Sequence, residues 1–214
     1  MPPAPASAVP AWEPGAQLDV LVQSAGDSEI RSYSLIGRPA PGGPLRIAVK
    51  LSPQSRGGSR FMWQLKPGDT VRISPPKSFF PLVRGAPDYL LVAGGIGITP
   101  LLGMAEALRA EGAKFRLAYA AQGPGPVAFA DNLGDASDLF LASEGRLIDL
   151  DGEIARLHPQ AGLYICGPSG LMQAAQAAWL KAGRKAADFH METFGADAQS
   201  IDQAFEVELM DRGR

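Results

Sequence analysis

Two glycine-containing turns in this sequence each follow an apolar run and precede a helical pattern, an arrangement able to hold a nucleotide. The first is Gly94-Gly95-Ile96-Gly97-Ile98-Thr99-Pro100, after the run Tyr89–Ala93. Glycines at the carboxyl end of a strand let a ligand approach the backbone, and open α/β sheets bind ligands outside their strand ends. Thr99 adds a hydroxyl near the helix start. The spacing is not the G-x-G-x-x-G fingerprint, and a tight strand-to-helix turn would need the same glycines for steric reasons alone. The second turn is Cys166-Gly167-Pro168, after the run Gly162–Cys166. Cys166 at a strand end can be a small buried hydrophobe. Beside a helix N-terminus it can instead be partly exposed and polarisable. The segment alone leaves both readings open.

Three further segments carry usable chemistry. In Arg31-Ser32-Tyr33-Ser34, a strand places residues 31 and 33 on one face and 32 and 34 on the other; a half-buried structural strand would read the same way. Arg56-Gly57-Gly58-Ser59 could form a concave nest of backbone N–H groups with a nearby charge, suited to phosphate. A flexible hairpin tip is the competing reading. Glu192-Thr193-Phe194-Gly195 closes the pattern with an aromatic residue that could equally be core. His158 and His190 have no ligand spacing around them, so no metal site is expected. Trp12, Trp63 and Trp179 show no functional arrangement.

These segments must be positioned by two kinds of structure. From Gln17 to about Pro81, short β-like runs are expected at Gln17–Val22, Ile30–Ile36, Arg46–Lys50 and Thr70–Ser74, with Pro and Gly clusters between them. After Pro87, strands at Tyr89–Ala93, Phe115–Ala120, Asp138–Ser143, Gly162–Cys166 and Phe189–Glu192 alternate with helices. The helices are expected at 101–111, Pro126–Asn132, Asp151–Leu157 and Gly170–Ala182. That alternation implies a mainly parallel, doubly covered sheet. The expected division is a disordered Pro/Ala-rich lead-in over 1–14, a β domain over 15–85, an α/β domain over 86–196, and a linker with the start of a further module over 197–214.

Composition narrows the function class. The 214 residues are 46% hydrophobic, ample for a core, and the formal charge is −2 with lysines and arginines scattered rather than striped. Nucleic-acid binding is therefore not expected. One cysteine, Cys166, excludes an internal disulfide and any cysteine-only cluster within this chain. No apolar run is long enough to span a bilayer and no secretory layout opens the chain, so a soluble cytoplasmic protein is expected.

Taken in order, Arg31-x-Tyr33-Ser34, Gly57-Gly58-Ser59, Gly94 to Pro100, Cys166-Gly167-Pro168 and Glu192-x-Phe194-Gly195 resemble the ferredoxin–NAD(P)H reductase superfamily. Within it the resemblance is to the phthalate dioxygenase reductase group, reductase partners of Rieske-type oxygenases. It covers about residues 14–196. It implies a ferredoxin reductase-like fold: an antiparallel flavin-binding β-barrel followed by a parallel-sheet nucleotide-binding α/β domain. By resemblance, Arg31 would hold the flavin phosphate, Tyr33 would pack on the isoalloxazine ring, and Ser34 would hydrogen-bond near flavin N5. Gly57, Gly58 and Ser59 would wrap the phosphate, and Ala48, Val49 and Lys50 would line the ribityl chain and ring edge. Thr99 and Cys166 would flank the nicotinamide, making them catalytic together with Ser34. Gly94, Gly95, Gly97, Gly167 and Pro168 would accommodate the dinucleotide, and Phe194 would cover the flavin's other face.

The resemblance favours FMN over FAD. NADH is favoured over NADPH because Ala121-Gln122-Gly123 supplies no cation for a 2′-phosphate; relatives commonly carry arginine where Gln122 stands. It implies an electron-transfer enzyme that oxidises NAD(P)H and passes electrons to an iron–sulfur ferredoxin or oxygenase component. Two departures stand out. About two barrel strands that relatives place before Trp12 are not in this sequence, so the barrel is expected to be partial. No [2Fe-2S] cluster is expected in this chain alone: Phe205–Leu209 looks like the first strand of the domain that carries it, but four cysteines are needed and only Cys166 is present, so the expectation is either a fragment or a separate ferredoxin as acceptor. The competing expectations are a non-catalytic nucleotide-binding or regulatory module that has lost flavin, and an oxidase reacting directly with oxygen.

Overall fold

The computed structural model describes residues 10–24, 27–39, 43–52, 57–123 and 127–194. The expectations for residues 1–9, Arg56, Gly195 and the tail 197–214, including its strand at 205–210, lie outside the described residues.

In the N-terminal half, strand β1 (Ala16–Ser24) is the organising element. It pairs antiparallel with the whole of β2 (Asp27–Ser34), Gln17 facing Ser34 and Ser24 facing Asp27. It also pairs with two short strands, β3 (Arg72–Ile73) and β4 (Lys77–Ser78). Period-two alternation aims Ala16, Leu18, Val20 and Val22 at one core, joined by Leu35, Val71 and Ile73. Asp19 points the other way and is also buried. Its carboxylate accepts from Ser32 Oγ at 2.7 Å and pairs with Lys77 Nζ at 2.8 Å, which offsets the cost of burying a charge.

Three sequence expectations change here. Trp12 and Pro14 are buried, Trp12 in this core, so ordered packing begins before residue 15. Arg46–Lys50 joins no ladder; Arg46 O accepts from Ile36 N at 2.9 Å, and Val49 O accepts from Trp63 Nε1 at 2.9 Å. The segment expected as a nest or hairpin tip leads into a helix, α1 (Gly58–Gln64). Phe61, Met62 and Leu65 then reach the core from one side, a helical spacing hidden in a run of only seven residues. Beneath α1 and residues 45–49 lies an apolar cavity of 350 Å³, floored by Leu18, Val20, Val71 and Ile73.

The C-terminal half is a five-stranded sheet with every neighbouring pair parallel, in the order β7-β6-β5-β8-β9. Its strands are β5 (Tyr89–Gly94), β6 (Phe115–Ala121), β7 (Ser137–Leu141), β8 (Gly162–Cys166) and β9 (Phe189–Glu192). Helix α2 (Ile98–Ala110) covers one face, while α3 (Leu150–Ala155) and α4 (Ser169–Lys181) cover the other. Burial on both faces explains why β5 and β8 read as unbroken apolar runs. Register brings Ala93 beside Cys166, Cys166 beside Glu192, and Gly94 beside Ala120, so the carboxyl ends finish level. The chain winds outward from β5 through β6 to β7, then returns to β8 on the other side. That places a topological switch point between β5 and β8. The helix expected at Pro126–Asn132 is reduced to a 3₁₀ turn at Ala130–Asn132, entered through Phe129 in a left-handed conformation (φ 63°). Among the described residues no helix is long and apolar enough to cross a membrane.

Candidate functional site

The carboxyl ends of β5, β6 and β8 face the β half across a cleft of 1530 Å³. One wall is Ile36–Arg38 and Pro44–Lys50 with Trp63. The other is Gly94–Gly97, Tyr119–Gly123, Gly167, Pro168 and Phe194. Of the residues singled out in the sequence, Ala48, Val49, Lys50, Gly94, Gly95, Gly97, Gly167, Pro168 and Phe194 line this one space. Phe194 is 48% exposed, large for a phenylalanine, and stands at the cleft rather than in a core.

Two of these glycines also meet a steric demand. A Cβ on Gly97 would lie 2.2 Å from the Cys166 carbonyl oxygen, and one on Gly94 would lie 2.5 Å from Pro168 Cδ. Their missing side chains let the two strand-end turns pack directly on each other at the switch point. The steric reading of that turn therefore holds for these two positions.

Thr99 and Cys166 sit beneath the cleft floor. Thr99 is buried and donates from Oγ1 to Ile96 O at 3.0 Å, locking the first turn of α2. Cys166 is 0% exposed, and burial pushes its thiol pKa well up, with the nearby Glu192 charge adding to the rise. It is a neutral thiol; the partly exposed, polarised alternative does not hold.

Ser34 ends β2 and reaches across to the α/β half, where its Oγ donates to Glu192 Oε2 at 3.4 Å. Glu192 is 8% exposed, and its Oε1 has no hydrogen-bond partner among the described residues. Burial pushes its carboxyl up to about 7 even though the Ser34 bond pulls it down. Ser34, Glu192 and Cys166 thus form one buried group under the cleft: a hydroxyl, a carboxyl poised near neutrality and an uncharged thiol. Sequence reasoning marked Glu192 only as part of a motif, because nothing in its local sequence sets it beside Cys166 on a neighbouring strand.

Arg31 and Tyr33 share the β2 face opposite Ser34. Tyr33 is half-buried against the β core, and burial raises its hydroxyl pKa, with Arg31 opposing. A Cβ on Gly58 would come within 3.0 Å of Arg31 Cγ and Nε, so the glycine makes room for the arginine stem at the start of α1. The Arg31 guanidinium pairs with Glu29 and donates to Ile30 O at 2.9 Å. Gly57 precedes α1 at φ 121°, and Ser59 Oγ accepts from Ser52 N at 3.2 Å. Arg31 and Gly58 therefore lie side by side at the start of α1, and Arg31, Tyr33, Gly57, Gly58 and Ser59 are not among the residues that line the cleft. Among the described residues no cluster of three or more His, Cys, Asp or Glu could hold a metal.

No protein-family model matches the chain. It is 37% identical over 210 residues to a vanillate O-demethylase oxidoreductase of Pseudomonas putida, covering 94% of this chain and 65% of that protein. It is 35% identical over 214 residues to a heme-dependent oxidative N-demethylase beta subunit of Ectopseudomonas mendocina, covering 98% and 67%. The solved structure of phthalate dioxygenase reductase superposes with a TM-score of 0.79 at 35% identity, covering 90% of this chain and 61% of that one. The chain spans about two thirds of the length of the curated relatives it matches.

Proposed function

Since the chain belongs to the phthalate dioxygenase reductase group of the ferredoxin–NAD(P)H reductase superfamily, we propose that it is an NAD(P)H-dependent flavin oxidoreductase. It would pass electrons to an iron–sulfur partner of a Rieske-type oxygenase system. The observation that carries this reading is the shared cleft. The Gly94–Gly97 and Gly167–Pro168 turns, Phe194 and the Arg46–Lys50 segment enclose one space, and Ser34, Glu192 and Cys166 are the buried neighbours of residues that line it.

The chemistry supplied by bound cofactors is hydride transfer from nicotinamide to flavin followed by single-electron release. The chain's part is position and electrostatics. Arg31 with Gly57–Ser59 holds the flavin phosphate, Tyr33 supports the ring system, and Ala48–Lys50 line its edge. Ser34 offers its hydroxyl oxygen to the reacting edge while its proton points at Glu192 Oε2, and burial lets the Glu192 carboxyl keep its proton up to about neutral pH. Thr99 and Cys166 shape the floor under the nicotinamide without adding charge, and Phe194 shields the space until nicotinamide enters.

FMN is the proposed flavin, since Arg31 and Gly58, side by side at the start of α1, suit one terminal phosphate. NADH is the proposed donor: Tyr119–Gly123 brings Gln122 and no cation to the cleft. The working units are a flavin-binding part over 15–85 and a nucleotide-binding part over 86–196, acting in the cytoplasm. Anaerobic addition of NADH to the FMN-loaded protein should bleach flavin absorbance within seconds. A preparation that takes up neither FMN nor FAD, or that holds flavin and fails to bleach, would refute the proposal.

A further inference from the structure

The apolar cavity of the β half takes no part in the chemistry of the cleft, yet it is large enough to hold a molecule. Its 350 Å³ are bounded by nine aliphatic or thioether side chains, with Trp63 and Asp69 as the two exceptions. Both exceptions have polar atoms already engaged: Trp63 Nε1 donates to Val49 O at 2.9 Å, and Asp69 Oδ2 accepts from Lys66 N at 2.8 Å. Water held inside would find too few partners among such side chains. An apolar cavity of about 150 Å³ stays dry and takes up benzene. One of 350 Å³ has room for two fused rings. The lining also selects on charge. Asp69 is its one charged side chain and stands exposed at the rim, where it repels an anion. A neutral apolar molecule complements this space, and an aromatic carboxylate does not.

A single layer of chain separates the cavity from the cleft. Leu45, Ile47 and Val49 border both spaces, while of the two Arg46, Ala48 and Lys50 border only the cleft. Trp63, 62% exposed, also borders both. This layer belongs to no sheet and is tied by Ile36 N to Arg46 O and by Trp63 Nε1 to Val49 O. A molecule packed beneath it would fix Trp63 and the wall that the cleft presents.

We propose that the cavity is a binding site for a neutral, apolar molecule of one or two rings, and that its occupancy is transmitted to the cleft through residues 45–49. The site stands independently of the flavin reading, whereas the transmission rests on it. Naphthalene is the neutral probe, and 2-naphthoate presents the same rings with a carboxylate. In methyl NMR of the full chain, with and without FMN, naphthalene should shift the Leu18, Val20, Val71 and Ile73 methyl signals saturably. 2-Naphthoate should bind about tenfold more weakly. Asp69→Asn, which can still accept from Lys66 N at the surface, should close most of that gap and leave naphthalene binding unchanged. Val71→Phe, which extends a ring into the cavity from its floor, should abolish binding of both probes. Saturating naphthalene should tighten FMN binding about fivefold or more, and FMN should tighten naphthalene binding by the same factor.

The site is overturned if these methyl signals do not shift saturably, or if the two probes bind alike. It is also overturned by NMR contacts from residues 1–9 to those methyls in the free protein, which would mean that the chain fills its own cavity. Should Val71→Phe not fold, the probe comparison in Asp69→Asn decides the matter, an undiminished gap being disproof. FMN affinity that saturating naphthalene leaves unchanged overturns the transmission. A protein that takes up naphthalene but no flavin loses the flavin reading and the transmission while the site stands; one that binds FMN but not naphthalene keeps the flavin reading alone.

Discussion

Replacing Glu192 by Gln isolates the electrostatic cost of the buried carboxyl. The two side chains have nearly the same shape, and glutamine can still accept from Ser34, so packing is conserved while the titratable group is lost. In the native protein burial holds the Glu192 carboxyl at about 7 against an ordinary value of 4.5, whereas in the unfolded chain it ionises normally. Below pH 4.5 both states are protonated and Glu192 contributes no pH-dependent term. As pH rises through this window the unfolded chain gives up its proton first, so the native state binds more protons and stability falls with pH. The fall is complete somewhat above pH 7. A displacement from 4.5 to about 7 corresponds to on the order of 3 kcal/mol. The Gln variant has no such term. Urea denaturation of both proteins from pH 4.5 to 8.5 should therefore show Glu192→Gln gaining on the parent steadily, by on the order of 3 kcal/mol at the alkaline end. A difference that stays constant across that range would mean the carboxyl is not displaced, and the argument for a proton held near neutrality would fail with it.

The phosphate assignment predicts that Arg31→Ala weakens FMN binding by roughly 1.5–3 kcal/mol, the worth of a charge-assisted hydrogen bond. Riboflavin, which has no phosphate, should bind both proteins alike in fluorescence titration; parallel losses for the two flavins would refute the assignment. For the turn packing, Gly97→Ala forces a methyl group to within 2.2 Å of the Cys166 carbonyl oxygen and should cost about 2–4 kcal/mol in chemical denaturation. Gly170→Ala in α4, where a Cβ would meet nothing within 4 Å, should cost nothing measurable.

The α/β half was legible because its signals are local. Unbroken apolar runs mark β5 and β8, and a glycine turn followed by helical spacing marks α2. The β half was less so. Helix α1 spends its seven residues behind two glycines that read as a turn, and its apolar spacing becomes visible only once Phe61 and Met62 meet the core of β1. Arg46–Lys50 has the alternation of a strand, yet pairing depends on neighbours that its own residues do not specify. The same division runs through the site. Gly94 and Gly97 could be recognised as obligatory glycines from their place after a strand. That they also accommodate another turn depends on β8 arriving beside β5 some seventy residues later. Glu192 is the clearest case. No local pattern distinguishes it from a solvated glutamate at the end of an edge strand. Its chemistry arises because β2 delivers Ser34 from the other half of the molecule, sealing the carboxyl from water and leaving one oxygen without a partner among the described residues. A carboxyl that titrates near neutrality is in this protein a property of the contact between the two halves. A change that loosens that contact should return Glu192 towards its ordinary value even if every residue around the cleft is retained.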